Sequence, residues 1–200
     1  MERRMNVYQL RKPTNACDVI NLDIMEMSKQ IVKNANKPMS SDIIQIVMND
    51  IPKGKATLSE LSPNGFECKH EPRAKKQNYD VNLYGSFLVL NESAYGCLGA
   101  PLSEFGEFID LKTNGDNLYF FNPLIFAQED LSLTEKVYLD GFEDGLKSLV
   151  FDEQDISNKL IFKSKMQSGL SLYCTDDFKK LVNDNNLTGL VFNTDLLSYF

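Results

Sequence analysis

The chain has 200 residues, 42% of them hydrophobic, and no tryptophan, with 21 basic against 28 acidic side chains for a formal charge of −7. That length and apolar content fit a packed globular protein of one large domain or two small ones and exclude a disordered or collagen-like chain. No apolar run approaches the ~20 residues a membrane helix requires.

The charge is regional. Between residues 126 and 155 stand nine acids, Glu129, Asp130, Glu135, Asp140, Glu143, Asp144, Asp152, Glu153 and Asp155, against Lys136 and Lys147, which accounts for the whole net charge. The other 170 residues are neutral overall, so this segment is either a solvated face or an electrostatic surface for a basic partner. Cys17, Cys68, Cys97 and Cys174 have no paired spacing, which fits free thiols in a reducing cytoplasm rather than a zinc ribbon or disulfide scaffold. The opening MERRMNVYQLRKP is charged but has no apolar stretch behind it, so no secretory signal is expected.

In chain order, Met5 to Leu10 reads as a first strand ended by Lys12-Pro13. Ile24, Met27 and Ile31 follow a helical period over 23 to 36, closed by Lys37-Pro38. The β-branched run IIQIVM, 43 to 48, predicts a buried strand. Residues 67 to 78, with Lys69, Arg73, Lys75 and Lys76 and no apolar period, read as an exposed loop. Strand character resumes over 81 to 90, and Asn91 is placed to cap a short helix through Leu98.

The stretch from Phe105 to Phe126 is the centre of the expected fold. Asn114-Gly115 predicts a two-residue type I′ hairpin, which sets Leu111 opposite Leu118 and Ile109 opposite Phe120 on an apolar face. The other face then pairs Lys112 with Asn117, Asp110 with Tyr119 and Phe108 with Phe121. Beyond it, strands are expected over 146 to 151, 160 to 163 and 170 to 174. Thr175 caps a final helix whose stripe is Phe178, Leu181 and Val182, and Gly189 precedes a last strand, 190 to 192. The fold class is α+β: a mostly antiparallel sheet with a central Asn-Gly hairpin, a few packed helices and a C-terminal strand-helix-strand unit. One domain spans 1 to 200, with a possible N-terminal subdomain over 1 to 80.

Few residues carry chemistry. Cys68 and His70, the latter the only histidine, form the one cluster with metal or nucleophile character, but tetrahedral zinc needs further ligands and none stands at useful spacing. Gly145-Leu146-Lys147-Ser148 lacks the glycine and Gly-Lys step of a phosphate loop, and Ser168-Gly169-Leu170-Ser171 lacks the glycines of a nucleophile elbow. Neither a catalytic set nor a cofactor or metal is expected. The basic loop at 69 to 76 has no aromatic platform, so nucleic-acid binding is not expected either.

The ending LIFKSKMQSGLSLYCTDDFKKLVNDNNLTGLVF, 160 to 192, resembles the C-terminal signature of the immunity protein eleven family of bacterial polymorphic toxin systems. The matching elements are Ile161-Phe162-Lys163, the helix from Asp176, and Leu187-Thr188-Gly189-Leu190-Val191-Phe192; Met5-Asn6-Val7-Tyr8 and the section from Leu88 to Asn122 also fit. Residues 20 to 80 match poorly, and Glu107-Phe108-Ile109-Asp110 departs from the Glu, two apolar residues and Pro of the family pattern. The resemblance implies a cytoplasmic, non-enzymatic inhibitor that binds a cognate toxin or effector of a contact-dependent or type VI secretion system and occludes it. The partner is expected to be a basic protein met by Asp140, Glu143, Asp144, Asp152 and Glu153, or by the aromatic face of Phe108, Tyr119 and Phe121, with no nucleic acid or membrane involved. The alternatives are an enzyme working through Cys68 and His70, and an acidic scaffold subunit.

Overall fold

The computed structural model describes residues 5–35, 40–76 and 79–198. The basic start, residues 1–4, and the Lys37-Pro38 helix stop fall outside these. The elements run β1 (Val7–Arg11), β2 (Ile20–Asn21), α1 (Ile24–Ala35), α2 (Ser41–Gln45), α3 (Leu58–Leu61), β3 (Phe66–Glu67), β4 (Lys69–His70), β5 (Val81–Tyr84), β6 (Phe87–Asn91) and α4 (Glu92–Leu102). They continue with β7 (Gly106–Lys112), β8 (Asn117–Pro123), β9 (Phe126–Ala127), β10 (Lys136–Leu139), β11 (Phe142–Leu146), α5 (Glu153–Ile156), β12 (Ile161–Ser164), β13 (Leu172–Thr175), α6 (Asp176–Asp184) and β14 (Val191–Asn193).

The fold is α+β and mostly antiparallel, but it is built on two five-stranded sheets. The first has the order β14-β1-β13-β12-β9 and the second β3-β7-β8-β6-β5. Only β9 on β12 and β3 on β7 run parallel within them. Strand alternation distributes the side chains to three cores. Leu118 and Phe120 of β8 face one side with Ile109, Leu111 and Val89, under α1 and the segment 46 to 61. Phe121 faces the other side, where Leu88 and Leu90 meet Leu10, Ile161, Leu172 and Cys174 of the first sheet and Leu98, Phe178 and Val182 of α4 and α6. The far face of the first sheet packs Phe162 and Tyr173 against Leu149, Phe151 and Ile156.

The strands β7 and β8 pair in the expected register, with Leu111 opposite Leu118, Ile109 opposite Phe120 and Phe108 opposite Phe121. The expected type I′ turn between them is not there. That turn needs positive φ at both central residues; here Gly115 has φ +122 while Asn114 does not adopt a positive value. A four-residue loop is held instead by Thr113, whose hydroxyl donates to Asp116 O at 2.6 Å and accepts from Asp116 N at 3.2 Å.

Three further expectations are corrected. The run 43 to 48 is helical, first as α2 and then as a wider helical turn over 46 to 50. Its apolar residues at 43, 47 and 51 follow i, i+4, i+8, and the face they make packs on the second core. Buried context overrides β-branched preference here. The stretch 67 to 76 is not a free loop: β4 pairs with β2, Cys68 N donates to Lys112 O at 3.0 Å, and Pro72–Lys76 forms a tight helical turn. Residues 147 to 150 are not strand; Leu149 and Phe151 are apolar because they fill the third core.

The C-terminal unit is strand, helix, strand as expected, and β1 lies between β13 and β14. Thr175 stands at the N-cap of α6, yet its hydroxyl donates to Lys159 O at 2.8 Å instead of capping. Asn91 does cap α4, accepting from Ala94 N at 2.8 Å.

Candidate protein-docking surface

The acidic segment builds a hairpin whose base, at Leu146, packs against the third core and whose outer residues face solvent. Asp140 and Gly141 have φ +51 and +86, and Leu139 pairs with Phe142 across them. Positive φ at both positions is the signature of a type I′ turn, and Asp-Gly is a preferred dipeptide for it. The pairing slips by one residue between Tyr138 and Lys136, next to Gly145 at φ +110. At the stem, Lys147 N donates to Glu135 O at 2.8 Å, Glu135 N donates to Ser148 Oγ at 3.0 Å, and Val150 N donates to Thr134 Oγ1 at 3.0 Å.

Nearly every residue of this ribbon is exposed, including Phe142 at 78%, Tyr138 at 62% and Leu139 at 61%. Leu139 and Phe142 share a face through their pairing, and alternation puts Val137 on it as well. The opposite face carries Tyr138 beside Lys136 and Glu143, whose charges meet at 2.8 Å. A second ion pair, Lys147 with Glu135 at 2.7 Å, closes the stem. These contacts hold both ammonium groups above their ordinary pKa, chiefly through the hydrogen bonds to the partner carboxylates. Among the described residues, Asp140 and Asp144 have no ion-pair partner, so the tip carries two carboxylates beside the apolar face.

The other acids of the segment serve the fold. Asp152 caps α5, accepting from Gln154 N and Asp155 N at 2.8 and 3.1 Å, and Glu153 begins that helix. Asp155 accepts from Gln128 N at 2.8 Å and from Lys159 Nζ at 2.9 Å. Glu129 accepts from Ser164 Oγ at 2.6 Å and from Met166 N at 3.1 Å. The regional charge therefore divides into internal caps and clamps on one side and the hairpin on the other.

The aromatic face of the central hairpin is covered. Tyr95 of α4 stacks on Tyr119 with ring centres 3.7 Å apart and meets Phe108 edge-on at 5.1 Å. Phe108 and Tyr119 are half-buried, while Phe121 is fully buried and is core rather than surface. Signals for the exposed ribbon were present in the chain: Leu139-Asp140-Gly141-Phe142 is an Asp-Gly turn between apolar residues.

Cys68 and His70 open to different clefts. His70 lies in one of about 540 Å³ with Ser93, Glu92 and Asp116, its Nε2 3.0 Å from Asp116 Oδ2 at an angle that makes no hydrogen bond. Cys68 lines another of about 800 Å³ with Lys69 and Lys112. Burial pushes the Cys68 thiol up to about 11, which leaves it protonated near neutrality and poorly suited to nucleophilic attack. Among the described residues, no group of three or more His, Cys, Asp or Glu is placed to hold a metal ion, and no helix is long and apolar enough to cross a membrane.

One ionisable group escaped the sequence reading. Lys163 of β12 is fully buried, its Nζ donating to Asn122 Oδ1 at 3.1 Å. Asn122 Nδ2 donates in turn to Glu107 Oε1 at 2.7 Å, and the two Glu107 oxygens accept from Leu58 N and Ser59 N at the start of α3. These bonds link the first sheet to the second. No family model matches the chain, and no curated protein matches it.

Proposed function

We propose that this protein is a cytoplasmic immunity protein, a non-enzymatic inhibitor that binds a cognate bacterial toxin and neutralises it by occlusion, with the hairpin of β10 and β11 as its docking element. The observation that carries the reading is that ribbon, which presents Tyr138, Leu139 and Phe142 to solvent. Isolated exposed apolar side chains are ordinary, but several on one projecting element mark an interaction site. The protonated Cys68, in a different cleft from His70, supports inhibition by binding over covalent catalysis. The resemblance of residues 160 to 192 to the immunity family supports the same class.

Co-expression with the protein encoded by the adjacent reading frame tests the reading. The expected outcome is growth rescue and a stable complex. The variant carrying both Cys68→Ala and His70→Ala is expected to protect as well as the wild type. Loss of protection with unchanged circular dichroism and melting would point to an enzyme acting through the His70 cleft.

A further inference from the structure

A two-stranded ribbon with no third strand and no packed face is marginal in water. Among the described residues no strand pairs with the outer edge of β10 or of β11, and Val137, Leu139 and Phe142 are exposed. Charge narrows what can cover it. Residues 135 to 147 contain four acids and two lysines, and both lysines are consumed by Glu143 and Glu135. A second copy would bring the same negative ribbon against it, within a chain of net charge −7. Anionic membranes and nucleic acids are repelled by the same carboxylates.

We infer that the face of Val137, Leu139 and Phe142 seats in an apolar cleft of a cationic partner protein, and that Asp140 and Asp144 meet cations on the rim of that cleft. This rests on the proposed function and specifies its interface. The division of labour follows from exposure and charge. Desolvated aromatic and aliphatic anchors govern the lifetime of a complex, whereas rim charges govern the rate of encounter. The acids at Asp152 and Glu153 and the aromatic residues at Phe108 and Tyr119 lie outside this interface.

The test uses the full chain and the protein encoded by the adjacent reading frame, with surface-binding kinetics at 50 and 300 mM salt. Leu139→Ser with Phe142→Ser removes the apolar anchor from residues that face solvent, so the melting midpoint stays at the wild-type value. The off-rate is expected to rise about 30-fold or more with the on-rate nearly unchanged. Asp140→Asn with Asp144→Asn keeps the turn, since asparagine tolerates positive φ. It is expected to slow association about threefold or more and to flatten its salt dependence. Hydrogen exchange on the complex is expected to show protection over residues 136 to 146.

Wild-type kinetics in both variants, with a complex still forming, would overturn the inference and leave the inhibitor reading standing. No complex with the wild-type chain, and no growth rescue, would overturn the inhibitor reading and the interface with it. Sedimentation of the chain alone adds the remaining outcome. A dimer abolished by Leu139→Ser with Phe142→Ser would make a second copy the occupant and would overturn the assignment to a cationic partner.

Discussion

Lys163 keeps its ammonium group inside the protein with an amide oxygen as its hydrogen-bond partner and the Phe87 ring 5.8 Å away. Burial pulls its pKa down from 10.5 to about 7, against a smaller opposing pull from Glu107. The consequence for stability has a definite sign. Below pH 7 the lysine is protonated in both folded and unfolded chains, and the cost of burying a charge is fully present. Between 7 and about 10 the unfolded chain binds more protons than the folded one, so stability climbs with pH, by at most about 1.4 kcal/mol per unit. Urea melts of the wild type at pH 6, 7.5 and 9 are expected to show that climb. Lys163→Met is expected to flatten it. A climb that persists in the variant would assign it to other groups.

The two hairpins make opposite predictions from the same backbone requirement. Gly115 has φ +122 and closes a hairpin whose strands line two cores, so Gly115→Val is expected to cost about 1–2 kcal/mol and to lower the thermal midpoint. Gly141 has φ +86 but closes a ribbon whose side chains are solvated. Gly141→Val is therefore expected to accelerate amide exchange over 136 to 146 while leaving the global midpoint unchanged, because little buried area depends on that turn. Equal midpoint shifts in the two variants would mean that the ribbon is coupled to the cores.

At the scale of the molecule, Asp80 joins the C-terminal unit to the second sheet. Its carboxylate accepts from Thr188 N at 2.9 Å, Thr188 Oγ1 at 2.8 Å and Asn91 Nδ2 at 3.0 Å. Burial alone would raise its pKa, but these bonds outweigh burial and hold it below the ordinary 3.8. The stabilisation is thus present above that value and is lost as pH falls through the depressed one. Asp80→Ala is expected to lower stability by about 2 kcal/mol, since bonds to a charged acceptor are the stronger kind. Far- and near-ultraviolet circular dichroism are expected to change together, as the C-terminal strand and helix share the core between the sheets. Separate transitions would show that the C-terminal unit unfolds independently.

The sequence by itself determined what local pattern and composition can encode. Period-2 alternation and its mirror about the turn placed Leu111 on Leu118 and Phe108 on Phe121, and the stripe Phe178, Leu181 and Val182 marked α6. Neither depends on distant partners. Tertiary structure decided the rest, because burial belongs to surfaces that meet from far along the chain. It turned Ile43 to Met48 into helix by supplying a core for one helical face. It placed Lys163 beside Asn122, 41 residues away in sequence, and so moved a lysine toward neutrality that composition counts as a fixed charge. It also covered the aromatic face of the central hairpin with Tyr95 and left the ribbon of β10 and β11 uncovered. The packing of Tyr95 from α4 makes one hairpin part of a core, while the other, read from its acidity as a charged segment, stays exposed as the candidate interface.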